Sequence, residues 1–346
     1  MVGGNFELVA MGNPLLDMQA RNAEATLKKY DLKANDAILI EQKPGTEAIY
    51  DDITKEYDIH YLAGGAAQNS ARCAQYVLPP NSTAYLGSVG EDDLAKQLRS
   101  ANEREGLHSA YQINKTTPTG CCAVLITGEH RSLVTRLGAA EKFTPDHLST
   151  PEVEKLTQNA KFFYVGGFFL THGLESTLIL AKRALERQTP FSINLSAPFI
   201  PQFFKDQLDQ VLPYTTLVIG NESEAEAYAA SHDLDGKDLV GVAKHIAQFE
   251  SKTNKPRTVI ITQGAEETLV LQSDSVDNVK RYPVQKVSSD KIVDTNGAGD
   301  AFAGGVLGAL ILGKSIDEAI EVGHKLGVMC IGQSGPSLKF PKENVL

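Results

Sequence analysis

The chain has 346 residues, a formal net charge of −10 and 42% hydrophobic residues. That length holds one large α/β domain with a smaller appendage, or two domains. The acidic balance excludes a general nucleic-acid binder, which needs clustered Lys and Arg, and leaves any anionic ligand to be held by local features. Cys73, Cys121, Cys122 and Cys330 form no C-x-x-C pair. Nor does any of the eight histidines show metal-ligand spacing, so no zinc site is expected and the histidines receive no role. Few, irregularly placed cysteines suit a reducing compartment. The sequence opens without a basic region followed by an apolar stretch, and no apolar run is long enough to span a bilayer. The expectation is a cytoplasmic protein with no membrane or nucleic-acid partner.

In chain order, residues 6–11 read as a short strand buried on both faces. Residues 15–62 differ, with strands expected at 37–41 and 60–62, and so do residues 109–138, with strands at 110–113, 121–127 and 133–137. Gly, Pro and Thr turns separate these, which suits a small antiparallel sheet inserted in a larger domain. Buried strands then recur at 161–165, 191–195, 216–219 and 258–262, with helix-length segments at 174–187, 222–230 and 239–249. That alternation predicts a parallel sheet covered on both sides. Residues 274–290 read as a surface hairpin and 291–294 as a strand. The division expected is a large domain of residues 1–14, 63–108 and 139–346, and a small one of 15–62 and 109–138.

The stretch Asp294-Thr-Asn-Gly-Ala-Gly-Asp300 carries the most chemistry. Its glycines sit where a strand gives way to the long apolar helix beginning near Ala298. N–H groups at a helix start lack partners, and the helix dipole adds positive charge there. Gly297, Ala298 and Gly299 therefore offer an anion site for a phosphate or for charge developing during phosphoryl transfer. Asp300 follows in the first turn. A carboxylate beside an anion site is poorly explained as a phosphate ligand and well explained as a base for an attacking hydroxyl. An ordinary acidic helix start is the plain alternative for a bare G-x-G.

Gly308-Ala-Leu-Ile-Leu-Gly313-Lys-Ser315 matches the P-loop pattern in the wrong context, inside a helix rather than after a strand. Gly313 reads as the cap of that helix and Ser315-Ile-Asp-Glu318 as a capping box opening the last one. A dinucleotide fingerprint fails because Phe302 stands where a third glycine is required.

Two strings carry a resemblance. Asp294-Thr-Asn-Gly-Ala-Gly-Asp300-Ala-Phe resembles the C-terminal signature of the ribokinase-like (PfkB) carbohydrate and nucleoside kinases, and Gly64-Gly65-Ala-Ala-Gln-Asn69-Ser-Ala resembles their other signature. Gly12-Asn-Pro-Leu-Leu-Asp17, Arg131-Ser-Leu133, Gly167-Phe-Phe-Leu170, Asn194-Leu-Ser-Ala-Pro-Phe199 and Gly220-Asn-Glu-Ser-Glu224 are similar to the adenosine-phosphorylating branch of that family. The resemblance implies a three-layer α/β/α domain with a mostly parallel sheet and a small β-sheet lid. It implies ATP and Mg²⁺ as cofactors, and transfer of the γ-phosphoryl group to the 5′-hydroxyl of adenosine, a purine-salvage reaction, by a monomer.

The residue roles follow from the same resemblance. Asn13, Asp17, Gly64, Gly65 and Asn69 would hold the ribose, and Leu133 and Phe168 would form apolar walls for the adenine. Arg131, in the lid, would stabilise the transferring phosphoryl group. Thr262, Gly264 and Asn296 would abut the nucleotide. Asn221 and Glu224, three residues apart after a strand, would position hydrated magnesium, although the same spacing suits a solvated helix start. A kinase of the same fold with another nucleoside or sugar acceptor, and a catalytically silent nucleotide-binding protein, both stay open at this point.

Overall fold

Along the first strand, β1 (Leu8–Met11), successive side chains point to opposite faces. Val9 and Met11 join one apolar cluster, and Leu8 and Ala10 join another. A strand with both faces buried needs a covering layer on each side, and the whole large domain is organised on that requirement. The computed structural model describes residues 6–34, 37–128 and 130–346; the first five residues of the expected large domain lie outside them.

The further strands are β2 (Leu15–Arg21), β3 (Ala37–Leu39), β4 (His60–Gly64), β5 (Thr83–Gly90), β6 (His108–Asn114), β7 (Cys121–Thr127) and β8 (His130–Arg136). They continue with β9 (Phe162–Gly166), β10 (Phe191–Asn194), β11 (Leu217–Asn221), β12 (Thr258–Gln263), β13 (Glu266–Gln272) and β14 (Lys280–Tyr282). The larger sheet has the order β14-β13-β12-β11-β10-β9-β1-β5-β6. All neighbours from β12 to β6 are parallel, and β13 and β14 close one edge antiparallel. Helices Leu174–Glu186 and Leu239–Gln248 pack on the Val9 face through Leu180, Ala184 and Ile246. Helices Ala66–Val77, Ala298–Ile311 and Ile316–Ile331 cover the Leu8 face through Ala71, Val306 and Leu326. The result is the three-layer α/β/α arrangement.

The second sheet, β3-β8-β7-β2-β4, forms the lid. Met18, Ala20, Cys121, Ala123, Leu125 and Val134 bury one face of it against Ile49, Tyr50 and Ile53 of helix Ile49–Glu56. The two-residue period then turns Asp17, Cys122, Leu133 and Thr135 toward the large domain.

Three expectations change. The run 110–113, expected in the lid, lies in β6, which pairs with β5 from Ala84↔His108 to Gly90↔Asn114. The reason is helix Asp93–Glu105, which makes β5 and β6 a crossover unit and so lays them parallel side by side. The lid sheet is mixed rather than antiparallel, because β2–β7 and β3–β8 run parallel. Residues 291–294 are not a strand. A 3₁₀ turn at Ser289–Lys291 leads into chain whose Val293 and Asp294 N–H groups both reach the Ile331 carbonyl, a helix end rather than a strand edge.

Candidate active site

The parallel strands β1, β9, β10, β11 and β12 end at one edge of the large sheet. From β1 the order runs toward β5 on one side and β9 on the other, and such a reversal opens a crevice beyond the strand ends. A cleft of about 1060 Å³ lies there. Asn13 follows β1, Phe168 follows β9, Ser196 follows β10, and Glu224 follows β11; Asp17, Cys122, Leu133 and Thr135 of the lid sheet line the same cleft. The pocket of one small ligand takes roughly 300–1,000 Å³, so this cleft is at or above the upper end of that range.

Helix Ala298–Ile311 starts on the cleft floor. Its cap, Gly297, has φ +81°, and Pro336 fills the place a Cβ would take, so only glycine fits. No side chain caps this helix, and a Cβ on Gly299 would meet only open space. The first-turn donors therefore open onto the cleft. Ala298 is the exception, since its N–H turns back to the Thr295 carbonyl at 3.3 Å. Asp300 is half-buried in the same turn, and its Oδ2 accepts a hydrogen bond from Asn69 Nδ2 at 3.0 Å. Burial pushes the Asp300 carboxyl up to about 7, against the Asn69 hydrogen bond, while Glu224 and Asp17 push the same way and Arg72 opposes.

Across the cleft, the Asp17 carboxylate lies where a Cβ on Gly64 would sit, so Gly64 is what lets β4 pass so close to β2. Burial raises Asp17 to about 7, with Arg72 and Arg131 opposing. Gly65 caps helix Ala66–Val77, which carries Asn69. Asn13 meets His172, Oδ1 to Nε2 at 2.9 Å. Burial holds His172 down to about 4, so the neutral ring donates to Oδ1 and leaves the Asn13 amide N–H₂ for the cleft.

Asn221 and Glu224 form a reciprocal capping box on helix Glu222–Ser231. The Glu224 oxygens accept from Asn221 N–H at 2.9 Å and Nδ2 at 3.0 Å. Burial raises Glu224 to about 7. Arg131 is paired with Asp294 at 2.8 Å and lies outside the cleft lining. Asp294 also accepts from Gly335 N–H at 2.6 Å and Asn296 N–H at 3.0 Å. Leu133, Phe168, Thr262 and Asn296 line the cleft, whereas Gly264 sits on the exposed turn between β12 and β13 with φ +59°, away from it.

The sequence reading passed over Cys122, Thr135, Phe199, Phe203 and His172. The first two follow from the alternation along β7 and β8 once the lid face is known. Phe199 ends a segment already singled out. His172 carries no local signal, because its partner Asn13 is 159 residues away. Among the described residues, no three His, Cys, Asp or Glu side chains gather to hold a metal ion, and no helix is long and apolar enough to cross a membrane.

A family model described as pfkB family carbohydrate kinase matches residues 25–343. The chain belongs to the pfkB family of carbohydrate kinases. As a pfkB kinase it is a phosphotransferase acting on a hydroxyl group. It is 53% identical over 345 residues to an adenosine kinase of Schizophyllum commune, covering 99% of each chain. Among solved structures, an Anopheles gambiae adenosine kinase in complex with P1,P4-di(adenosine-5) tetraphosphate superposes with a TM-score of 0.88 at 42% identity, over 96% of this chain and 97% of that one. A Schistosoma mansoni adenosine kinase with 2-fluoroadenosine gives 0.89 at 35% identity, over 97% and 98%.

Proposed function

We propose that this pfkB kinase transfers the γ-phosphoryl group of ATP to the 5′-hydroxyl of adenosine, giving AMP and ADP. The observation that carries the reading is Asp300, a carboxyl raised to about 7 at an uncapped helix start, across the cleft from Asp17 and Asn13. Asn69 occupies Oδ2, which leaves Oδ1 for the substrate hydroxyl. Asp300 takes the hydroxyl proton as the oxygen bonds to the γ-phosphorus and the bond to the bridging oxygen of ADP breaks. The open donors of the Gly297–Gly299 turn take up charge on the transferring group. Asp17 accepts from the ribose hydroxyls, Asn13 donates to them, and Gly64 and Gly65 let the chain approach. Leu133 and Phe168 enclose the adenine, and Thr262 and Asn296 face the triphosphate end. Arg131 reaches the phosphoryl group by exchanging Asp294 for it as the lid closes and excludes water.

Asn221 and Glu224 suit a hydrated magnesium ion held through water, since both carboxylate oxygens already accept hydrogen bonds from Asn221. Such an ion would offset charge between the phosphates. The protein acts as a cytoplasmic monomer in this reading.

The test is ADP release with ATP and magnesium across adenosine, other nucleosides, free sugars and no acceptor. Adenosine should exceed every other acceptor in kcat/KM by about tenfold or more, the margin expected where a site hydrogen-bonds its substrate. Preference for a free sugar, or ADP release at background with all acceptors, would overturn the reading.

A further inference from the structure

The geometry points to Arg72 as a positioning residue for Asp300, a buried guanidinium that fixes the orientation of the Asn69 amide and sets the charge around the base. The inference rests on Asp300 being the base. Arg72 and Asn69 lie three residues apart on helix Ala66–Val77 and so share a face. Arg72 is 6% exposed and does not line the cleft. Its Nε and Nη2 donate to the two Glu105 oxygens at 2.8 and 2.6 Å. Its Nη1 donates to the Ala63 carbonyl at 2.7 Å and to Asn69 Oδ1 at 3.2 Å. With Oδ1 held there, Asn69 has only its N–H₂ to offer Asp300, which is the bond seen at 3.0 Å. The flipped amide would set N–H₂ against a guanidinium that can only donate, so Arg72 excludes it. Glu105, at the end of helix Asp93–Glu105, holds the fork in two-point geometry. Ala63 belongs to β4, so the same guanidinium ties the lid root to the base.

The electrostatic part has the same direction. Asp17 on β2 and Glu224 on helix Glu222–Ser231 disfavour ionisation of Asp300, and Arg72 is the cation that opposes them. Cys73, Cys330, Tyr85 and Tyr164 also face Asp300; burial pushes all four up, so they stay neutral near pH 7. A salt bridge serving only to anchor the helix needs neither Asn69 within reach nor any influence on the base.

The experiment is the pH dependence of kcat for wild type, Arg72→Lys and Arg72→Gln, with Asp300→Asn alongside and thermal unfolding to verify the fold. Arg72→Gln keeps a donor and removes the charge. Its acid limb should move up by about half a unit or more and its kcat near pH 7 should fall about two- to threefold or more, with adenosine KM changed far less than kcat. Arg72→Lys should hold the limb near wild type. An unmoved limb in folded Arg72→Gln, or identical profiles for the two variants, would overturn the proposal. If Arg72→Gln fails to fold, Glu105→Gln releases the clamp; it should lower kcat several-fold with KM retained, and an unchanged kcat sinks the idea. Wild-type turnover in Asp300→Asn removes both the base and this role. Lost turnover there, with an unmoved Arg72→Gln limb, removes this role alone.

Discussion

Asp300, Asp17 and Glu224 share one cleft, and burial raises all three to about 7. A carboxyl raised on folding binds its proton more tightly in the folded chain, so ionising it above that pH costs stability. Below an ordinary carboxyl pKa of about 4 both states are protonated and the cost vanishes. Asp300→Asn removes the charge and keeps an acceptor for Asn69. It should therefore raise the melting temperature at pH 8 by about 2 °C or more, with the gain shrinking toward pH 5. Differential scanning calorimetry across that range checks it, and a loss of stability at pH 8 would mean that the folded site favours the carboxylate. The place of Asp300 was legible because a helix start and an acid in its first turn are local features. Its hold on Asn69 was not, because the two lie 231 residues apart and no spacing rule joins them.

The junction after helix Ala298–Ile311 shows how context decides a motif. Gly313, at φ +79°, sends its N–H to the Leu310 carbonyl, and Lys314 sends its own to Ala309. These bonds close a helix end, and Ser315 with Glu318 opens the next helix by the expected capping box. Lys314 Nζ pairs with Glu318 at 3.1 Å, at the opposite end of the helix from Asp300. Lys314→Ala should keep adenosine turnover within about twofold, whereas loss of a phosphate-binding P-loop lysine is severe. A collapse of kcat with the fold intact would contradict this assignment. The capping signals were legible because they need only four or five neighbouring residues. Residues 291–294 misled because Ile292 and Val293 favour strands wherever they stand, and only the fold reveals that a helix end lies beside them.

At the scale of the molecule, alternating strands and helices foretold a parallel sheet, but not its order, since many orders satisfy the same alternation. The place of β1 between β9 and β5 is what sets the cleft, and it emerges only when both cores pack. We propose a lid of residues 15–64 and 115–138 on a large domain formed by the remainder, with β6 moved out of the lid by its pairing to β5. With that division Asp17 lies on the lid and Asp300 on the large domain, both lining the cleft, and the proposed reaction needs the two to meet across it. In the proposed mechanism Asp300 is the base that this arrangement delivers to the substrate hydroxyl. Single-turnover phosphorylation of adenosine by Asp300→Asn, with adenosine affinity measured by calorimetry on the same sample, tests that most directly. The expected result is wild-type affinity with the rate lowered by about 10²–10⁴-fold. A rate within about tenfold of wild type at unchanged affinity would contradict it.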